Sequence, residues 1–190
     1  MQHSLFALEL CIRMVPGSTV HDALARCVPG APPAMSLTEK WQQHSRAASI
    51  LMDTIGLAER GCWDYWNDNS TALEAFKDWG SLSSEGLHPA YAHGAGPYRG
   101  DPEPRYLTFT LALLLVNGSQ SDRMLGLLSS VPEADYWTRA TFVQLLRGVG
   151  AVSFASVKSD VLCLVPRDDG WGLTLSDLQQ PKYGYLRPLL

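Results

Sequence analysis

The chain has 190 residues, of which 46% are hydrophobic and 18% are charged, and its formal net charge at pH 7 is -4. This composition excludes a disordered chain, and the length is sufficient for one domain with a large hydrophobic core. The acidic balance disfavours binding to nucleic acid, which depends on clustered Lys and Arg, and suits a basic protein partner better.

The cysteines are scattered along the chain without a C-x-x-C pair; they are Cys11, Cys27, Cys62 and Cys163. This spacing predicts neither a disulfide framework nor a zinc site and is typical of buried thiols in a reducing compartment. The longest apolar run, Tyr106 to Val116, is too short to span a bilayer. We therefore expect a cytoplasmic protein with no membrane segment, metal or cofactor.

The N-terminal segment MQHSLFALELCIRMVPG predicts a short amphipathic helix that ends at Pro16 and Gly17. A weak helix is predicted over residues 19–28. The next helix has a clear start, because Ser36 and Glu39 form a capping box. Apolar residues then recur at three- and four-residue intervals, and the same face continues to Trp66, so this helix is predicted to kink and resume.

A shorter helix, capped by Ser70 or Thr71, is predicted to end near Trp79. The segment that follows, LHPAYAHGAGPYRGDPEPRY, is rich in proline, which removes backbone donors, and in glycine, which permits sharp turns. It predicts an ordered, proline-stiffened loop over 87–104 that separates a helical half, 1–86, from the remainder, 105–190.

The second half predicts three helices and then a change of period. A buried helix is predicted over Arg105–Asn117, a short one begins near Ser121, and a third begins with Ser130 as its N-cap. Alternating residues over Ala151–Val165 predict a β-hairpin. The predicted fold is a predominantly helical α+β single domain over 1–190, with a C-terminal β-hairpin or small antiparallel meander.

Motifs of common enzymes are absent from the sequence. No serine lies in G-x-S-x-G, no H-E-x-x-H occurs, and GAGPYRG lacks the lysine and hydroxyl of a P-loop. One alternative function is a hydrolase or transferase that uses His88 or His93 as general base, with Tyr98, Arg99 or Arg105 holding an anionic substrate.

A winged-helix DNA-binding regulator is a second alternative, because Ser121 to Val165 fits the order helix, turn, helix, hairpin. Its recognition helix would begin with Glu133 and Asp135, where phosphates should lie. Electrostatics therefore disfavour this alternative.

Aromatic residues interleaved with acids are the most unusual feature, in CWDYWNDN and RDDGWG. Aromatic residues and arginine dominate the energetics of protein interfaces, and exposed acids select a basic partner. The sequence favours a non-enzymatic protein-binding module, most concretely an inhibitor of antitoxin or immunity type that blocks a basic or toxin-like enzyme, and leaves a homodimer open. The predicted partner-binding residues are Trp63, Asp64, Trp66, Asp68, Tyr98, Arg99, Asp168, Asp169 and Trp171.

Overall fold

A computed structural model describes residues 2–28, 35–85, 102–167 and 171–190, without the side chains of 82–85. Within these ranges the strands are β1 (His3–Arg13), β2 (Ala58–Trp66), β3 (Tyr106–Val116), β4 (Val157–Val165) and β5 (Arg187–Pro188). The helices are α1 (Val20–Ala25), α2 (Leu37–Asp53), α3 (Asn69–Glu85), α4 (Gln120–Leu128), α5 (Arg139–Gly150) and α6 (Leu175–Leu178).

The strands form one antiparallel sheet in the order β4-β3-β1-β2-β5. The central strand β1 pairs with β3 along its whole length and with β2 from Leu5 to Ile12. The predicted predominantly helical fold with a C-terminal hairpin is therefore wrong. The sheet is central, its middle strand is the first element of the chain, and the supposed helical half 1–86 supplies two strands.

The two predicted helices that are in fact strands share one property, which is burial on both faces. Every residue of β1 from Ser4 to Ile12 is buried, as is every residue of β3 from Tyr106 to Leu115. A strand covered on both sides shows a continuous apolar run instead of alternation. Such a run cannot be distinguished from a buried helix by periodicity.

Two further predictions are wrong. The expected resumption of α2 through Trp66 is strand β2, because α2 ends at Asp53 and a 3-10 turn at Ile55–Leu57 redirects the chain. The expected β-hairpin over Ala151–Val165 is a 3-10 turn followed by the single strand β4, which pairs with β3. The helix, turn, helix, hairpin order of a winged helix is therefore not formed.

The predictions based on local helix capping agree better with the structure than the predicted fold does. The predicted capping box is confirmed: the Ser36 hydroxyl accepts from the Glu39 amide, and the Glu39 carboxylate accepts from the Ser36 amide. Helices close to the predicted positions of α1, α3 and α4 are confirmed as well, but α3 continues through Gly80 to Glu85, past its predicted end near Trp79. The Asp68 carboxylate, however, caps α3, and α5 is capped by Thr138 instead of Ser130.

Helices and the C-terminal segment cover the two faces of the sheet. The even-numbered side chains of β1 face the main core, which α2, α4 and α5 complete. The odd-numbered side chains contact α3 near Leu5 and Ala7, and they contact the segment 173–186 near Cys11. The sheet is thus the middle layer, and one long border of it belongs to β2.

Glu9 is a carboxylic acid in the middle of the second face and is only 2% exposed. The hydroxyls of Thr110 and Tyr185 donate to its Oε2 at 3.0 and 2.9 Å. Burial raises the pKa of Glu9 above its ordinary value, and these hydrogen bonds oppose the rise. The protonated form is therefore favoured in the folded state relative to the unfolded chain.

Replacing Glu9 by Gln should stabilise the protein increasingly as the pH rises. The raised pKa means that the stability contributed by protonated Glu9 is fully present below the unfolded pKa and is lost as the pH rises through the folded pKa. Urea unfolding from pH 4 to 8 should show the advantage of Glu9→Gln over the wild type growing with pH. The control is Glu39→Gln, because the Ser36 hydrogen bonds lower the pKa of Glu39 and its trend should run the opposite way. An advantage for Glu9→Gln that shrinks with pH would contradict a buried, desolvated Glu9.

Candidate functional site

An open cleft of about 540 Å³ lies between β2 and the chain segment that joins α4 to α5. Its lining residues are Trp63, Asp64, Tyr65, Trp66, Gly126, Ser129, Ser130, Tyr136 and Trp137. Successive residues of a strand point to opposite faces of a sheet, so four consecutive residues line one cleft only where it reaches the strand's edge. The cleft therefore lies at the border of the sheet, in the size range of about 300–1,000 Å³ typical of ligand sites.

The border of the sheet along β2 is only partly occupied by another strand. β5 pairs with β2 at two residues, Arg60 and Gly61. Among the strands that the structure describes, none pairs with the outer side of β2 from Cys62 to Trp66. The open part of the edge coincides with the residues that line the cleft.

Aromatic side chains form both walls of the cleft and connect them. Trp63 Nε1 donates to the Tyr136 carbonyl at 2.9 Å, and the two rings meet edge to face with centroids 5.5 Å apart. Tyr136 makes a second edge-to-face contact with Trp137 at 6.3 Å. Such pairs stabilise their arrangement beyond simple burial. Trp66, at the end of β2, is 43% exposed.

Asp122 fixes the position of Tyr65 in the cleft wall. Its buried carboxylate accepts hydrogen bonds from the Ser4 hydroxyl, from the Tyr65 hydroxyl at 2.7 Å and from the Gly118 amide at 2.7 Å. Hydrogen bonds to an ionised carboxylate are stronger than those between neutral groups. One side chain of α4 thus joins the start of β1, the end of β2 and the turn before α4.

Gly126 allows α4 to approach this tyrosine closely. A Cβ placed on Gly126 would lie 2.7 Å from the Tyr65 hydroxyl oxygen and 2.8 Å from the ring carbon that bears it. Real Cβ contacts are longer, so any side chain at Gly126 would displace the Tyr65 ring. A side chain at Gly126 would therefore force Tyr65 or α4 to shift and would disturb the Tyr65–Asp122 hydrogen bond.

The cleft lining contains one acidic residue and no basic residue. Asp64 is the only charged residue of the nine, its Oδ2 accepts from Trp79 Nε1 at 3.3 Å, and burial raises its pKa. Glu133 and Asp135 are exposed in the 3-10 turn immediately before Tyr136. The lining contains no His, Cys, Lys or Arg, and therefore no nucleophile with a histidine base.

The predicted partner-binding residues fall into separate groups. Trp63, Asp64 and Trp66 line the cleft, whereas the Asp68 carboxylate bonds the first turn of α3. Trp171 lies near the other end of the sheet. Its near neighbour Leu173 forms a β-bridge with Tyr106, which pairs with Arg13 at the end of β1. Trp66 instead pairs with Leu5, near the start of β1. Eight residues of β1 separate those positions, which is about 27 Å at 3.4 Å per residue.

The remaining predicted site residues lie outside the described residues. They are Tyr98, Arg99, Asp168 and Asp169, together with the candidate bases His88 and His93.

Tyr136 and Trp137 are aromatic cleft residues that the sequence did not predict as part of the site. They fall in the helix predicted to begin at Ser130, but they precede α5 and are half-buried. The sequence does contain a pattern that could have indicated them, because the segment EADYW combines acidic and aromatic residues in the same way as CWDYWNDN. Asp122 gave no signal, since an acid in the first turn of a helix is common.

Outside the cleft, the described residues contain no cluster of metal-ligating side chains and no reactive thiol. No three His, Cys, Asp or Glu residues there are grouped so as to hold a metal ion, and no helix there is long and apolar enough to cross a membrane. All four cysteines are free. Burial raises the pKa values of Cys11, Cys62 and Cys163 to about 12, so these thiols are protonated at neutral pH.

No family model, curated protein or solved structure matches this chain. Its function must therefore be inferred from the chemistry of its own residues.

Gly126→Ala should destabilise the protein, because the new methyl group must displace the Tyr65 ring from Asp122. Overpacking of this kind costs about 1–3 kcal/mol in unfolding free energy, measurable by urea denaturation. The matched control is Gly80→Ala in α3, where an added Cβ meets nothing within 4 Å of the described structure. There, alanine should raise stability by up to about 1 kcal/mol through helix propensity. Equal effects of the two substitutions would contradict the close approach at Gly126.

Proposed function

We propose that this chain is a non-enzymatic, cytoplasmic protein-binding module whose cleft takes a basic segment of a partner protein. One observation carries the proposal: an open cleft at the border of the sheet combines five aromatic residues with an acidic residue and contains no Lys or Arg. Its aromatic residues are Trp63, Tyr65, Trp66, Tyr136 and Trp137. Tryptophan and tyrosine are the residues on which protein interfaces most depend energetically.

The aromatic walls suit a cationic side chain. Lys and Arg interact favourably with the faces of Trp and Tyr rings, by about 0.5–2 kcal/mol depending on exposure. Trp63 and Tyr65 lie on the side of β2 that faces Tyr136 and Trp137, whereas Trp66, which is 43% exposed, lies on the other side of the strand. A guanidinium or ammonium group against the Tyr136 and Trp137 rings would also contact the chain segment that carries the exposed acids Glu133 and Asp135.

The most concrete form of the proposal is an inhibitor of antitoxin or immunity type. An enzyme that acts on an anionic substrate has a basic active-site cleft, and an acidic, aromatic surface can occupy that cleft in place of the substrate. Exposed acids would accelerate the encounter with such a partner by electrostatic steering. Four free cysteines fit a reducing compartment, which supports a cytoplasmic location.

Neither alternative function gains support from the described residues. The enzymatic alternative depends on His88 and His93, which lie outside them, and the cleft lining contains no histidine. The DNA-binding alternative loses its hairpin, because β4 pairs with β3. The acids Glu133 and Asp135 also remain exposed in the segment where phosphate would have to bind.

Trp66→Ala should weaken partner binding strongly while Trp41→Ala should not. Trp41 is the matched control, since Trp66 and Trp41 are 43% and 42% exposed. Trp41 lies on α2, outside the cleft, and donates a hydrogen bond to the Gly150 carbonyl. Loss of an aromatic anchor costs about 2 kcal/mol or more, which is a roughly thirtyfold weaker Kd. Affinity capture from the native cell would identify the partner, and calorimetry with the purified partner would give the Kd values.

Wild-type protein and Trp41→Ala should also inhibit the captured partner's activity at equal stoichiometry, with Trp66→Ala less effective. Equal affinities for the two tryptophan variants would place the interface elsewhere. Absence of any specific partner would contradict the proposal as a whole.

Reversing the charges beside the cleft should slow association. The double variant Glu133→Lys/Asp135→Lys should lower the association rate constant by about tenfold at low salt, with little change in dissociation, because exposed charges act mainly through steering. Glu74→Lys on the exposed side of α3 is the control, since α3 covers the opposite face of the sheet. Stopped-flow measurements at two salt concentrations would test this, and a faster association of the double variant would argue against a basic partner.

A further inference from the structure

The open edge of β2 has a defined backbone orientation. Pro188 has no amide hydrogen, so its pairing with Arg60 cannot be one in which both residues exchange hydrogen bonds. The neighbouring pair, Gly61 and Arg187, must therefore exchange them, which directs the Gly61 N–H and C=O away from β1. The Leu189 amide, which donates to the Glu59 carbonyl at 2.9 Å, agrees with this pattern.

The same alternation identifies the free backbone groups in the cleft. The β1–β2 register is regular from Gly61 to Trp66, so every second residue of β2 points outward. After Gly61 these residues are Trp63 and Tyr65. Two amides and two carbonyls of β2 thus face the open side of the strand.

We propose that the partner segment binds as an added antiparallel strand on β2, bonded to the backbone of Trp63 and Tyr65. This inference rests on the proposed function and specifies its binding mode. β5 already uses the same edge in the same way at Arg60 and Gly61, so an added strand would extend an existing ladder. Strand addition takes its affinity from backbone hydrogen bonds and its specificity from alternate side chains.

The chemistry of the two sides of the added strand follows from the sheet. Side chains on one side would face the walls formed by Trp63, Tyr65 and Tyr136, and those on the other side would lie beside Asp64 and Trp66. Both sides offer aromatic surface, and the cleft lining offers no cation. The segment that fits is therefore extended, with basic side chains at alternate positions.

A second copy of this chain is a poorer occupant of the edge. The open stretch runs from Cys62 to Trp66, so a two-fold pairing centred on it brings Asp64 opposite Asp64 of the other copy. Like charges directly opposite one another destabilise a strand pair. A basic segment meets the same carboxylate with the favourable sign.

Hydrogen exchange of individual amides tests strand addition directly. The probe is a synthetic nonapeptide of alternating Arg and Val, added to the ¹⁵N-labelled full chain and followed by NMR. In the free protein the Trp63 and Tyr65 amides should exchange quickly, whereas the Cys62 and Asp64 amides, which bond β1, should be protected. At a peptide concentration about ten times Kd, exchange at Trp63 and Tyr65 should slow by roughly tenfold, because only the unbound fraction exchanges.

Two N-methylated peptides provide the matched controls. Methylation of every Arg amide or of every Val amide removes one of the two alternate sets of donors, and only one set can face β2. One methylated peptide should bind like the parent, and the other should lose measurable binding. An Asp–Val peptide should not bind.

The outcomes separate this inference from the proposed function. Peptide binding without slower exchange at Trp63 and Tyr65, or equal binding of both methylated peptides, would overturn strand addition. So would failure of the Arg–Val peptide to bind at millimolar concentration, or dimerisation of the chain in light scattering with protection of the same amides. In each of those cases the Trp66→Ala variant could still fail to capture the partner protein that the wild type captures. The proposed function is therefore tested separately, by affinity capture with the tryptophan variants.

Discussion

The pairing of β1 with both of its neighbours is the constraint on which the rest of the structure depends. β1 lies at the centre of the sheet, and its partner β3 begins more than ninety residues later in the chain. Each face of β1 is buried by a different set of elements, so those elements are positioned by this strand. Since β1 occupies one side of β2, the stretch of its other side that no described strand covers, from Cys62 to Trp66, faces the cleft. The candidate site is therefore a direct consequence of the strand order.

The cleft is connected to this framework by Asp122. Its carboxylate bonds groups from β1, β2 and the turn before α4, so the tyrosine wall cannot move without breaking buried hydrogen bonds to a charged group. The other wall is held by the Trp63–Tyr136 hydrogen bond and the edge-to-face rings. Both walls are thus held by contacts within the chain, which would lower the entropy cost of binding the proposed partner. A rigid aromatic cleft is also better suited to selecting a partner than a loop that must order first.

Much of the local structure could be predicted from the sequence, and most of the sheet could not. The capping box at Ser36 and Glu39 lies within one turn, so adjacent residues contain the whole signal. The strands β1 and β3 lack alternation because both faces are buried, a property set by distant helices. The same distinction applies to the candidate site. One wall, Trp63 to Trp66, is contiguous in the sequence and could be predicted, whereas Tyr136, which accepts a hydrogen bond from Trp63, is seventy-three residues away.

An unpaired strand edge is normally a hazard, because it invites edge-to-edge association of identical chains. Native proteins commonly protect such edges with charge, and lysine is frequent in that role. On β2 the acid at the centre of the open edge is Asp64, which is half-buried and accepts a hydrogen bond from Trp79, and the exposed acids Glu133 and Asp135 lie beside the cleft. A lysine would protect equally well against self-association but would repel a basic partner. An acid at this position, together with aromatic rings instead of polar side chains, would therefore disfavour self-association and favour the proposed cationic strand at the same edge.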